Sequence, residues 1–189
     1  MINPQKITNY NLNIYELEEH IIFWILVAGK AAKHIANALE NLLKEIDVPP
    51  YKPFDAIKKY SNNLPDLFKK HGIGCYNGKS KGILALVNSN IDLKTCTVDE
   101  LEKIPWIGPK TSRCFIVHSR ENAQYACLDT HILRYLRELG YNAPKGTPNG
   151  RKYLELEKIF LELSAGVNMT PAQFDLYLWN KYSRSGTAS

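Results

Sequence analysis

Apolar residues recur at helical spacing through most of this chain, and no segment alternates apolar with polar residues for long. Ile35, Leu39, Leu42, Leu43 and Ile46 form one such stripe in "AAKHIANALENLLKEI". The preceding "IYELEEHIIFWILVAG" becomes apolar on every side in its second half, the pattern of a helix buried all round. A half-buried strand needs period-two alternation, so the pattern predicts an all-α protein of about ten helices. No internal repeat or low-complexity tract interrupts it. A chain of 189 residues buries most of its apolar surface without disulfide staples.

Local signals place the helix ends. "VPPYKP" stops the second helix, because proline cannot continue one. Short helices near 54–60 and 64–71 lead to the glycine-rich "GIGCYNGKSKG" and a helix at about 79–89. Thr97 with Glu100 forms a capping box for a helix ending at Ile104, and Pro109 suits the first position of a helix running to about Ser119. Asp129 is a natural N-cap for "THILRYLREL", which Gly140 ends. After the linker-like "YNAPKGTPNG", helices near 151–164 and 171–182 close the chain, and the tail at 183–189 reads as frayed.

Composition excludes several classes. An apolar fraction of 44% and a charged fraction of 23% exclude disorder and fibrous architectures. The longest apolar run, "IIFWILVA" at 21–28, is too short to span a bilayer, and "MINPQKITN" lacks a signal peptide's basic region and apolar core. The expectation is an intracellular protein, cytoplasmic at a nucleoid or nuclear. Cys75, Cys96, Cys114 and Cys127 show no C-x-x-C and are expected as reduced thiols, while the five histidines lack metal-ligand spacing, so no metal is expected. The net charge of +5 points only weakly to nucleic acid. Lys58, Lys59, Lys69, Lys70, Lys79 and Lys81, interleaved with Tyr60, Phe68 and Tyr76, read as a solvated helical face or as a basic patch.

Two glycine-bearing turns invite phosphate-binding readings. "NGKS" at 77–80 fails as a nucleotide-phosphate loop, since Ile73 stands where the motif needs glycine and no strand precedes it. The turn "PWIGP" at 105–109 is more telling. The chain reverses there within about four residues, and Gly108 is expected to supply the positive φ. Such a turn points the unpaired N–H groups of the second helix outward, where with the helix dipole they form an anion site suited to a DNA phosphate. Lys110 and Thr111 lie in that first turn, where a cation opposes the dipole unless an anion is bound. From the hairpin alone a plain helix corner remains open.

"LEKIPWIGPKTSRCF" followed by "ACLDTHILRYLRELG" resembles the helix-hairpin-helix signature, Gly/Pro-rich loop and aspartate of the base-excision DNA glycosylases, the endonuclease III-like superfamily. Weaker likeness extends to "FWILVAGKAAK", to "GCYNGKSKGI" and to "FDLYLWNKYSR". The resemblance implies a helical barrel lobe over 26–125, a second lobe from 1–25 plus 126–189, and duplex DNA bound between them by a monomer. It makes Lys110 the amine nucleophile and Asp129 the catalytic carboxylate. A lysine amine attacks the sugar C1′ only when neutral, which a desolvated helix N-terminus favours. Asp129 assists deprotonation of Lys110 or stabilises the charge growing at C1′, and the Schiff base then permits β-elimination.

The same resemblance suggests DNA contacts. Lys30 falls where the family inserts a glutamine into the gap left by a flipped nucleotide, and Cys75 where it places a hydrophobic wedge. Tyr76, Asn77 and Lys79 belong to the same glycine-rich segment. Backbone at Ile107, Gly108 and Thr111 anchors a phosphate, and Arg134 with Arg137 reaches others. Trp106 replaces the hairpin's usual first glycine. No cysteine follows Cys127, so the family's iron-sulfur loop is missing, which points to a cluster-free branch, such as those acting on 8-oxoguanine, with no cofactor. The implied activity is a DNA glycosylase with abasic-site lyase chemistry on an oxidised base. The alternatives are a water-using glycosylase and a noncatalytic helix-hairpin-helix DNA binder.

Overall fold

The computed structural model describes residues 2–184 and contains, among them, ten α-helices and no strand. They are α1 (Ile14–Val27), α2 (Ala32–Ile46), α3 (Pro53–Lys59), α4 (Leu64–Lys70), α5 (Tyr76–Val87), α6 (Val98–Glu102), α7 (Pro109–Ser119), α8 (Thr130–Glu138), α9 (Gly150–Gly166) and α10 (Pro171–Arg184). The predicted frayed tail falls mostly on 185–189, outside the described residues.

α1 is the central helix. The Asn13 side chain accepts from the backbone of Tyr15 and Glu16, and Glu16 accepts from the Asn13 N–H at 2.8 Å, so a capping box starts it. Its residues from His20 to Val27 are all buried, against α2, α3, α5 and α7. Each fully buried Ile, Leu or Phe contributes about 1.5–3 kcal/mol, which is why the apolar run belongs in the core. No helix among the described residues is long and apolar enough to cross a membrane.

Two helical lobes face each other, and α7 contacts both, touching α1 on one side and α10 on the other. α10 also packs on α8, α9 and the 3-10 turn at Pro4–Lys6, so the two chain ends meet.

Several elements depart from the sequence expectations. α5 begins at Tyr76 rather than near 79, because Cys75 takes a left-handed conformation (φ 56°) as its N-cap and lets the helix start at once. α6 ends at Glu102, two residues early. Cys114 and Cys127 are joined in a disulfide, not reduced: α7 and the strand-like approach to α8 bring their Cα atoms to 4.9 Å, a proximity that sequence spacing does not reveal. Lys79 is the clearest correction. It is 1% exposed, and its Nζ donates to the Leu26 carbonyl at 2.5 Å. That carbonyl lies in the last turn of α1, which has no intrahelical partners and carries the negative end of the dipole. Burial pushes the Lys79 ammonium below the usual lysine pKa. Lys79 therefore holds the end of α1 and is not available to a DNA phosphate. The bland reading serves much of the remaining cluster: Lys58, Lys59, Lys69 and Lys70 occupy the last turns of α3 and α4, and Lys70 pairs with Glu45 at 2.7 Å.

Candidate active site in the interlobe cleft

The α6–α7 hairpin is built differently from the expectation. Gly108 is extended (φ −95°, ψ −178°), and Trp106 takes the left-handed conformation instead, at φ 69°. A left-handed non-glycine backbone costs about 1–2 kcal/mol, so something must hold it. Gly78 and Gly82, one turn apart on α5, form a notch for the indole. A Cβ at Gly78 would lie 1.8 Å from Trp106 Cζ2, and one at Gly82 would lie 2.6 Å from the Pro105 carbonyl oxygen and 2.7 Å from Trp106 Cβ. The outer face of the indole stays open, leaving Trp106 52% exposed. At Gly108 a Cβ would meet nothing within 4 Å, so space lies open at the start of α7.

Lys110 is the second residue of α7 and Asp129 is the N-cap of α8. Asp129 Oδ1 accepts from the backbone N–H groups of His131 at 2.8 Å and Ile132 at 2.9 Å, which fixes the carboxylate. Burial pushes its pKa above the usual carboxylate value, the nearby Asp175 charge pushes it further, and Lys110 opposes the rise. The loop before Asp129 is clamped from α9, where the Tyr153 hydroxyl donates to the Ala126 carbonyl at 2.6 Å and accepts from the Leu128 N–H at 3.2 Å.

A cleft of about 980 Å³ brings these groups together; Lys30, Trp106, Lys110, Asp129, Asp175 and Trp179 are among its lining residues. Gly108 and Thr111 line it too, while Ile107, 3% exposed, offers only main chain. Lys30 and Cys75 come from different segments yet converge. A Cβ at Gly74 would lie 2.6 Å from Lys30 Nζ, so the lysine lies over the glycine beside the exposed Cys75. Tyr76 packs against the core and Asn77 is exposed at the start of α5. Arg134 pairs with Glu138 at 2.9 Å and stacks 4.7 Å over Tyr182, and Arg137 donates to the Pro144 carbonyl at 2.5 Å.

Sequence reasoning missed Asp175, Trp179 and His131, which also line the cleft. The signal for the first two was the four-residue spacing in "FDLYLWNKY", which places them on one helix face. His118, Cys127 and Asp175 bring potential metal-ligating atoms within 4.8 Å of one another. The Cys127 sulfur is bonded to Cys114 and His118 Nε2 is engaged by Asp175, so the trio presents no open ligand set.

No family model matches the chain. The 8-oxoguanine DNA glycosylase/AP lyase of Methanocaldococcus jannaschii is 36% identical over 111 residues, 56% of this chain and 50% of that one. The protein of the same name from Picrophilus torridus is 34% identical over 79 residues, 42% of this chain and 37% of that one. The match thus spans half or less of the length of these curated relatives. Among solved structures, the Methanocaldococcus jannaschii 8-oxoguanine DNA glycosylase shares the fold with a TM-score of 0.72 at 26% identity, over 96% of this chain and 84% of that one. Over 96% of its length the chain thus shares the fold of a helical DNA glycosylase. The Methanocaldococcus jannaschii 8-oxoguanine glycosylase/lyase in complex with 15mer DNA containing 8-oxoguanine shares the fold as well, with a TM-score of 0.74 at 24% identity, covering 96% and 87% of the two chains. The hairpin in this chain is α6–α7, with Trp106 at its left-handed position.

Proposed function

We propose that this chain is a DNA glycosylase with abasic-site lyase activity that excises 8-oxoguanine from duplex DNA inside the cell. The observation that carries this reading is the convergence of Lys110 and Asp129, from two different helix starts, on one cleft. The relatives' names supply the lesion, since both are 8-oxoguanine DNA glycosylase/AP lyases.

The open first turn of α7, with the backbone of Ile107 and Gly108, receives a DNA phosphate. The target nucleotide leaves the stack, and its sugar C1′ comes to the Lys110 amine. The neutral amine forms a bond to C1′ as the bond to the base nitrogen breaks, and the base leaves with the electron pair and takes a proton. Asp129 stabilises the positive charge that grows on the sugar. Loss of a proton from the lysine nitrogen and opening of the sugar give a Schiff base. Removal of a C2′ proton then expels the 3′ phosphate and nicks the strand. The open face of Trp106 stacks on the DNA, and Lys30 with Cys75 faces the gap left by the flipped nucleotide.

Borohydride trapping on 8-oxoguanine and abasic duplexes tests this. The expected result is a covalent adduct with the wild type and none with Lys110→Gln. Base release without an adduct would replace the lysine with water as nucleophile. No base release from a broad lesion panel, with Asp129→Asn binding DNA like the wild type, would leave only a DNA-binding module.

A further inference from the structure

Asp175 enters the cleft from α10, opposite the hairpin that carries Lys110. It is only 8% exposed, and its surroundings determine its orientation. Oδ2 lies 2.8 Å from His118 Nε2. His118 is fully buried, with Nδ1 2.8 Å from the Thr8 hydroxyl and its ring stacked on Trp24 at 5.4 Å. With the Thr8 hydroxyl donating to Nδ1, the ring proton sits on Nε2 and is donated to Asp175. Three elements, the N-terminal segment, α7 and α10, thus hold one carboxylate in one orientation.

The second oxygen, Oδ1, makes no hydrogen bond among the described residues, although Oδ2 has its donor. It is not sealed inside the protein, so on the wall of the cleft it is an acceptor open to an incoming donor. The cleft it faces has apolar and aromatic walls, with Phe23, Trp24 and Trp179 among its lining residues. Aromatic walls with one aimed acceptor suit a flat heterocycle that presents an N–H edge, which is how flipped bases are read. Guanine-type bases offer donors at N1 and the exocyclic amine, and 8-oxidation adds one at N7. Thr8, Trp24 and His118 fix the orientation of Asp175, which its charge effect on Asp129 does not require.

We propose that Asp175 is a specificity-determining residue whose free oxygen accepts a hydrogen bond from an N–H of the extruded purine, with His118 and Thr8 as its positioning residues. This rests on the glycosylase reading above. It concerns recognition of the base, so an abasic substrate, which has none, separates it from the lysine chemistry.

The test compares wild type, Asp175→Asn and Asp175→Ala in single-turnover excision of 8-oxoguanine and in borohydride trapping on an abasic duplex. Asn keeps an acceptor for His118 and turns its amide nitrogen toward the base, a donor facing a donor. The expected result for Asn is a ratio of 8-oxoguanine excision to abasic-site adduct at least tenfold below wild type, with an unchanged thermal midpoint. Asp175→Ala lowers the ratio similarly but also lowers the midpoint, by orphaning buried His118. Equal losses on both substrates, or an unaltered ratio in Asp175→Asn, would overturn the proposal while leaving the glycosylase reading standing. A wild type inert on both duplexes would sink both.

Discussion

Glu157 on α9 accepts from Arg113 Nε at 2.9 Å and, through the same Oε1, from the Ala126 N–H at 2.9 Å. Arg113 lies one turn beyond Lys110 on α7, and Ala126 lies three residues before Asp129. One carboxylate oxygen therefore sets the spacing between the two proposed reacting side chains. Arg113 also donates to Glu102 at 2.5 Å and sits 4.6 Å over the Tyr153 ring, so the hairpin is tied to α9 at several points.

Glu157→Ala should cost about 3 kcal/mol of stability, the low end for breaking a buried pair because Glu102 still partners the arginine. Urea denaturation measures this. Abasic-site trapping should fall with it, and Glu157→Gln, which keeps an acceptor, should recover most of both.

His20 governs stability in acid. It is buried beside His118, its Nδ1 finds no partner among the described residues, and burial above all holds its pKa down to about 3. The unfolded chain titrates His20 near 6.5, so unfolding takes up a proton that the folded state refuses. Stability from this site is fully present above pH 6.5 and is lost as pH falls toward 3, by up to about 1.4 kcal/mol per pH unit. His20→Gln should flatten that slope in thermal melts recorded from pH 7 to pH 4. An unaltered slope would show that another group controls acid unfolding.

Asp129 shows the opposite displacement. Its pKa is raised by burial and then by Asp175, while Lys110 and His131 pull it down. The acid limb of adduct formation on an abasic duplex should lie above the ordinary aspartate range. Asp175→Asn removes one raising charge and should move that limb to lower pH. A limb that stays in place would mean that Asp129 ionisation does not control the rate.

Replacing a helical glycine with alanine ordinarily stabilises by about 0.5–1 kcal/mol. At Gly78 and Gly82 the sign should reverse, because the added methyl meets the indole in one case and the hairpin backbone in the other. Gly78→Ala should lower the melting temperature, and Trp106→Gly should erase that penalty in the double mutant. The Gly82→Ala penalty should persist in the Trp106→Gly background, since the Pro105 carbonyl remains.

The parts of this molecule that were legible in its sequence are those decided within one helical turn. The Thr97–Glu100 capping box, Pro109 at the start of α7 and Asp129 as the cap of α8 all appear where local chemistry predicts them. The parts that were not legible depend on partners far away in the chain. Lys79 reads as a solvated cation until α1 ends beside it, and His118 and Asp175 become a pair only when α7 meets α10. The hairpin shows the limit of residue rules most directly, because packing on α5 gives the left-handed position to a tryptophan and leaves Gly108 extended.

That inversion changes which replacement at position 106 is the gentle one. Alanine would keep the unfavourable backbone and lose the ring that anchors it in the α5 notch. Glycine adopts φ 69° without penalty. Trp106→Gly is therefore the substitution that strips the aromatic face from the cleft while leaving the loop's course intact, and a glycine here is conservative where an alanine is not.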